Sequence, residues 1–329
     1  MHRMTTITWA TGILLLIAAP HLGLYPILLM KILCFALFAC AFNLLLGFTG
    51  LLSFGHAMFF GTAGYVAGHA MKAWGVTPEI GLVLGTAVAA LAGLIVGALA
   101  IRRQGIYFAM ITLALSQMVF FVLLQAPFTG GEDGLQGVPR GRLFGIIDLS
   151  GDLAMYYFVA AVFLFGFLAI WRIVNSPFGH ILKAIRENEA RAVSLGYDAS
   201  RFKLLAFVLS AALAGLAGAL KVLVLGVETL TDVHWHTSGE VVLMTLMGGV
   251  GTLLGPVVGA TAIVGMQSEL ADKVGSWVTV IMGVIFVVCV LSFRKGIVGE
   301  LAALVQPTRV RERGKPASPP EIRAVAPQK

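Results

Sequence analysis

Residues 176–203 read SPFGHILKAIRENEARAVSLGYDASRFK, and they interrupt a chain that is otherwise apolar enough to lie in lipid. Proline is favoured at the first position of a helix, so Ser176-Pro177 can begin one. Gly196 suits the end of that helix, and Asp198 can cap the segment that follows. The apolar residues recur at about the 3.6-residue helical period, with charges on the opposite face. They are Phe178, Leu182, Ile185, Ala192 and Leu195 or Gly196. We therefore predict an amphipathic helix between two membrane spans.

The composition places the rest of the chain in a membrane. Of its 329 residues, 58% are hydrophobic and 12% are charged, and the mean hydropathy is +0.92. A soluble domain is about 45–50% apolar and about 25% charged. Candidate spans lie at 7–24, 27–47, 51–71, 80–100, 106–126, 155–172, 204–224, 239–269 and 275–293. Because one span needs about 20 apolar residues, we predict an all-α polytopic membrane protein with about 9–10 transmembrane helices.

The charged loops set the orientation of these spans. The chain carries a net charge of +7, but its basic residues lie in loops and a tail beside the spans, which indicates the positive-inside arrangement rather than nucleic-acid binding. Residues 173–203 are net basic and are predicted to be cytoplasmic, whereas 127–154 are net acidic and external. We expect cytoplasmic termini, a permease domain over 1–305 that includes the 176–203 loop, and a disordered basic tail at 306–329.

Two apolar segments are interrupted by glycines, GFTGLLSFG at 47–55 and GGVGTLLGP at 248–256. The parity of the spans requires the chain to enter the membrane and return at each of them. Broken helices at membrane depth need protein or a water-filled cavity to satisfy their backbone groups, and in transporters they often mark the substrate path. The candidate path residues are Gly50, Ser53, His56, Gly249 and Gly251. Alternatively, the glycines serve only tight turns and packing, and His56 is a neutral imidazole hydrogen-bonded to a helix carbonyl.

Several kinds of site are missing from the sequence. There is no G-x-x-x-x-G-K-[ST] phosphate loop, no H-E-x-x-H and no paired-cysteine motif, so we expect neither enzymatic activity nor a metal or cofactor. Cys34, Cys40 and Cys289 lie in apolar runs and are interpreted as packing residues. Acids within the spans are almost absent, which disfavours a proton- or sodium-driven carrier and favours energy supplied from outside the chain.

Three motifs resemble a known family. The segments NLLLGFTGLLSFGHAMFFGTAGYVAG (43–68), SPFGHILKAIRENEARAVSLGYDASRFKLLAFVLSAALAGLAGAL (176–220) and MTLMGGVGTLLGPVVGA (244–260) are similar to segments of the LivM-type permeases of bacterial branched-chain amino-acid ABC importers. The similarity runs from about residue 30 to residue 300, with the motifs in the family's order.

The resemblance implies a multi-pass permease subunit in the bacterial inner membrane. It also implies four kinds of partner: the lipid bilayer, a second LivH-like permease, two cytoplasmic ABC ATPase subunits and a periplasmic substrate-binding protein. The solute expected is a branched-chain amino acid or a related small amino acid or amide, and a self-sufficient secondary transporter is the alternative.

The resemblance makes 176–203 the coupling loop that meets the ATPase. Our candidates for this contact are Phe178, Leu182, Arg186, Glu187, Glu189 and Arg191. The broader importer pattern places a glycine six residues after the glutamate of E-A-A. Here Gly196 follows Glu189 by seven, so the resemblance does not assign individual contacts.

Overall fold

A computed structural model of the protein describes residues 12, 16–23, 25–292 and 296–305. The predicted tail at 306–329 and much of the predicted first span at 7–24 lie outside these residues. The described helices are α1 (Pro26–Thr49), α2 (His56–Ala73), α3 (Pro78–Ala100), α4 (Ile106–Gln125), α5 (Asp152–Val174), α6 (Pro177–Glu187), α7 (Glu189–Ser194), α8 (Ala199–Leu225), α9 (Trp235–Gly248), α10 (Gly255–Val274), α11 (Val278–Ser292) and α12 (Gly296–Val305).

The predicted all-α polytopic architecture is confirmed. Among the described residues, five helices are long and apolar enough to cross a membrane, namely α1, α3, α4, α5 and α8. The 14 residues of α9 span about 21 Å at 1.5 Å per residue, less than the hydrocarbon thickness of about 30 Å. Both glycine-interrupted segments are pairs of helices joined by short turns, α1–α2 and α9–α10, as predicted.

Helix α8 lies at the centre of the bundle and packs against α1, α2 and α3. Its buried face is rich in small residues, including Ala211, Ala214 and Gly218, which let neighbouring backbones approach closely. In contrast, α4 exposes a broad apolar face that includes Phe121 and Val122, as expected for a surface covered by lipid.

Short strands tie together the loops at one end of the bundle. Strand β1 (Leu135–Gln136) pairs antiparallel with β4 (Val227–Glu228), and β2 (Arg142–Leu143) pairs with β3 (Ile147–Asp148). The β1–β4 pair joins the long loop after α4 to the short loop after α8. We call this the strand end of the bundle, and the opposite end, which carries α6 and α7, the loop end.

The predicted amphipathic helix is two helices rather than one. Ser176 and Asp198 cap α6 and α8 as predicted, accepting hydrogen bonds from the backbone N–H groups of Gly179 and Arg201. The chain leaves helical geometry at Asn188 (φ −158°, ψ 97°), whose side chain accepts a hydrogen bond from the backbone N–H of Arg191. Because asparagine is a favoured N-cap, a second helix, α7, begins after Asn188. Its faces are rotated relative to those of α6.

Candidate functional site

The apolar face of α6 packs on the chain's own bundle. Leu182 is fully buried, and Ile185 packs in a small cluster with Ala192. The ring of Phe178 stacks on Phe202 of α8, with centroids 5.7 Å apart. This face therefore anchors the loop to the bundle, so Phe178 and Leu182 contribute mainly to packing within the chain.

Charged side chains strengthen the same attachment. Glu189, at the start of α7, lies 2.6 Å from the Nζ atom of Lys203 on α8, and the Lys203 side chain is only 6% exposed. Lys183 places its Nζ atom 5.5 Å from the ring centroid of Phe48, near the end of α1. Partly buried contacts of this kind are screened less by salt than surface pairs, so α6 and α7 are held firmly to α1 and α8.

The outward side of this segment carries an exposed apolar patch. Val193 is 53% exposed, Leu195 is 71% exposed and Tyr197 is 41% exposed. The helical period predicts that Leu195 or Gly196 lies on the same face as Phe178. This prediction was wrong, because the break at Asn188 changes the helical phase. Glu187 and Arg191 are also exposed, so the patch has charges of both signs at its margin.

The two glycine turns meet at the loop end. The side-chain amide of Asn43 on α1 donates to the carbonyl oxygen of Thr252 over 2.8 Å, and its Oδ1 atom accepts from the Gly251 N–H over 2.9 Å. A Cβ atom added to Gly47 would stand 2.7 Å from the Gly251 nitrogen. The glycines of each segment predicted a break in that segment alone, and the contact between the two turns was not predicted.

Arg186 of α6 reaches into the same place. Its Nη1 atom donates a hydrogen bond to the carbonyl oxygen of Gly47, and its side chain passes beside Gly50 and Gly251. Gly249 lies in the adjoining turn, where α12 begins against it at Gly296. Two of the five candidate path residues, Gly50 and Gly251, therefore lie beside Arg186, and Gly249 lies two residues before Gly251 in the same turn.

The other two candidates, Ser53 and His56, are buried. The hydroxyl of Ser53 accepts a hydrogen bond from the N–H of Gly55, the residue just before α2. His56 Nε2 lies 2.9 Å from Oγ of Ser210, whose single proton is donated to the carbonyl oxygen of Ala41. Ser210 must therefore accept from His56, so Nε2 of the imidazole carries a proton. The partner is a serine rather than the backbone carbonyl that the sequence analysis suggested.

Three aromatic rings enclose the imidazole of His56. The rings of Phe42, Phe59 and Phe207 meet it edge to face, with centroids 5.2–5.7 Å away. The Nδ1 atom of His56 has no hydrogen-bond partner among the described residues. The surroundings combine one polar contact with an apolar wall, as expected for a histidine packed within the bundle.

We expect His56→Ala to destabilise the bundle. Removing a ring from the aromatic enclosure leaves a cavity, which costs about 2–5 kcal/mol in buried large-to-small substitutions. His56→Gln retains a donor for Ser210 and most of the volume, and should cost less than half as much. Thermal unfolding of the purified protein in detergent measures both. Equal stability of the alanine variant and the unmodified protein would contradict the enclosed packing described here.

Three ionisable side chains form a cluster that was not predicted from the sequence. The Nζ atom of Lys221, near the end of α8, forms an ion pair with Oδ2 of Asp232 and lies 3.5 Å from Oε2 of Glu228. Burial raises the pKa of the Glu228 carboxyl well above its ordinary value, although Lys221 opposes the rise. The signal available was a lysine within the apolar run GALKVLVLG, because an ionisable residue in a span usually has a defined partner.

This cluster holds the strand end together. Asp232 also accepts from the N–H and hydroxyl of Thr229, closing a single helical turn over Leu230–Asp232. Glu228 lies in β4 and faces Gly64 of α2 closely enough that an added Cβ would stand 2.5 Å from its carboxyl carbon. The cluster thereby fixes the loop after α8 against α2.

The described residues contain no group of three or more histidine, cysteine or acidic side chains that could hold a metal ion. His234 instead caps α9, with its Nδ1 atom accepting from the His236 N–H, and Trp235 between them is exposed. Burial and the neighbouring His236 lower the pKa of His234.

The model of the family described as branched-chain amino acid transport system / permease component matches residues 25–290. The chain belongs to this permease family. The match includes both glycine turns and the entire 176–203 segment, so the loop end just described lies within the family region.

Curated relatives agree with this membership. The proteins named high-affinity branched-chain amino acid transport system permease protein LivM, from Salmonella typhimurium and Escherichia coli, are each 28% identical over 258 residues, which cover 70% of this chain and 60% of each relative. A protein from Methanocaldococcus jannaschii, named probable branched-chain amino acid transport permease protein LivM, is 27% identical over 193 residues, 56% of this chain and 54% of its own. No solved structure matches the chain.

Proposed function

We propose that this chain is a permease subunit of an ABC importer for branched-chain amino acids or related small amino acids and amides. Membership of the permease family and the names of its relatives support the solute class. We infer that it acts with a second LivH-like permease, two cytoplasmic ATPase subunits and a periplasmic substrate-binding protein. On this proposal the chain is not an enzyme, because it lacks a phosphate loop and its partners hydrolyse the ATP.

The main observation behind this proposal is that residues 176–203 are anchored to the bundle on one side and expose apolar side chains on the other. One side is anchored to the bundle by Leu182, Ile185 and the Glu189–Lys203 pair. The other side presents the apolar patch of Val193, Leu195 and Tyr197. An exposed apolar patch with a polar rim is typical of a protein interaction site. We infer that the ATPase docks there, which places the loop end in the cytoplasm and the strand end in the periplasm.

This orientation agrees with the charges of the loops. Arg102 and Arg103, between α3 and α4, lie at the same end as 176–203, since α3 ends beside the start of α8 at Leu204. Basic loops favour the cytoplasmic side of a bacterial inner membrane. The periplasmic binding protein would then meet the strand end, and the solute would pass between this permease and its partner as the two alternate between open states.

A self-sufficient secondary transporter is the second candidate. The Lys221–Glu228–Asp232 cluster favours it, because a carrier driven by an ion gradient needs buried ionisable groups. The anchored loop with its exposed patch has no role in such a carrier, and for that reason we prefer the importer.

Uptake by proteoliposomes distinguishes the two. The chain is reconstituted with its second permease and ATPases, and uptake of radiolabelled leucine is measured with the binding protein outside and ATP inside. We expect uptake only with ATP and the complete set of partners. Uptake by this chain alone, driven by a proton or sodium gradient and unaffected by removal of the ATPases, would contradict the importer.

A further inference from the structure

Arg186 lies where three parts of the loop end meet. Its Nη1 atom donates to the carbonyl oxygen of Gly47, near the end of α1. A Cβ atom added to Gly251 would stand 3.1 Å from that same Nη1 atom, and one added to Gly50 would stand 3.1 Å from Cγ of Arg186. One side chain on α6 therefore touches both the end of α1 and the turn between α9 and α10.

The chemistry of this contact suits arginine. The last carbonyl groups of an α-helix have no partner within the helix and carry partial negative charge. Gly47 is the third residue from the end of α1, so its carbonyl belongs to this group. A guanidinium has five donors in a rigid planar arrangement, so its Nη1 nitrogen can satisfy that carbonyl while the same nitrogen lies against the second turn. The ammonium of a lysine would supply the charge without this geometry.

Asn43 joins the two turns to each other without help from α6. Its side chain is almost completely buried, and it bonds both Gly251 and Thr252, over 2.9 and 2.8 Å. Gly47 and Gly251 are also in backbone contact. Because packed interiors are nearly incompressible, the two turns should move as one unit, and Arg186 attaches that unit to α6.

We propose that Arg186 and Asn43 form a clasp that carries a displacement of α6 simultaneously to the end of α1 and to the α9–α10 turn. This inference rests on the proposed function, since the displacement comes from the ATPase docked on Val193, Leu195 and Tyr197. Arg186 is thus a positioning residue for transport rather than a docking contact. Arg186 is itself exposed, but its Nη1 atom is bonded to Gly47, whereas, among the described residues, no such bond ties the side chains of the apolar patch to α1.

Transport and ATP hydrolysis by the complete transporter in proteoliposomes distinguish a loss of coupling from a loss of ATPase docking. Arg186→Gln removes the charge, and we expect the solute imported per ATP hydrolysed to fall about tenfold, as for the loss of a charge-assisted hydrogen bond. The ATPases should remain bound and active.

Arg186→Lys should recover part of the ratio, and Gly251→Ala, whose methyl group would press on Nη1, should lower it with Arg186 intact. Arg103→Gln, an exposed arginine at the same end, should leave the ratio unchanged.

Thermal unfolding of each assembled complex is measured beside the transport ratio. A merely structural role would reduce stability, transport and ATP hydrolysis together, and that result would overturn the proposal. An unchanged ratio in Arg186→Gln would overturn it as well, as would loss of the ATPases from the complex, which would make Arg186 a docking contact. If the Arg186→Gln complex does not assemble, Arg186→Lys takes its place. The same number of solute molecules imported per ATP in Arg186→Lys and in the unmodified transporter would then overturn the proposal. Failure of the proposed function differs from all of these, because the unmodified chain would then bind no ATPase.

Discussion

Lys221→Met will lower the free energy of unfolding by about 3–5 kcal/mol, the usual cost of breaking a buried ion pair by removing one partner. The lysine side chain is 6% exposed and the Asp232 side chain is 11% exposed, so water cannot replace the lost ammonium. Glu228, which is fully buried, loses its nearest cation as well. Denaturant unfolding in detergent, followed by tryptophan fluorescence, measures the change.

Two matched variants test the cause of this loss. Lys72→Met removes another lysine near the strand end, whose Nζ atom donates only to the exposed carbonyl oxygen of Gln136, and we expect it to cost less than about 1 kcal/mol. Adding Asp232→Asn to Lys221→Met removes the unpaired negative charge and should restore part of the stability. If Lys221→Met is as stable as the unmodified protein, the cluster does not hold the strand end.

Leu195→Asp will separate the chain from its ATPase partners. Leu195 is the most exposed member of the apolar patch, and a charge there must be desolvated on docking. Central apolar contacts of an interface cost at least about 2 kcal/mol when disrupted, which is at least about a 30-fold loss of affinity. We expect the ATPases to be lost on co-purification and ATP-driven uptake to fall to background, while the helix content by circular dichroism is unchanged.

Ile146→Asp is the matched control for the Leu195 variant. Ile146 is 84% exposed, in the loop between β2 and β3 at the strand end. The same chemical change there should leave the ATPases bound. Retention of the ATPases by Leu195→Asp, or equal loss in both variants, would show that the apolar patch is not the docking surface.

The sequence predicted the helices well because apolar length and proline or glycine boundaries are local properties. The start of α6 at Ser176-Pro177 and the end of α7 shortly before Gly196, which adopts φ 91°, followed from the same kind of signal. The break at Asn188 was not predicted, since asparagine is tolerated within a helix as well as at its cap. Its consequence was the wrong assignment of Leu195 to the inner face.

Contacts between distant parts of the chain could not be predicted from hydropathy or from the spacing of nearby residues. Asn43 and Gly251 are 208 positions apart, and neither the glycine spacing nor the hydropathy indicates that they bond. The same holds for His56 and Ser210. The three motifs that resemble the family contain both turns and residues 176–203, which meet in the structure. The resemblance could not show that Arg186 contacts both turns.

The most direct test of the central claim is a photo-crosslinking amino acid placed at position 195 of the reconstituted transporter. Phe121, exposed on the lipid-facing side of α4, provides the matched control position. We expect crosslinks to an ATPase subunit from position 195, with a yield that changes between ATP-bound and nucleotide-free states, and none from position 121. Crosslinks from position 195 to lipid alone would contradict the account.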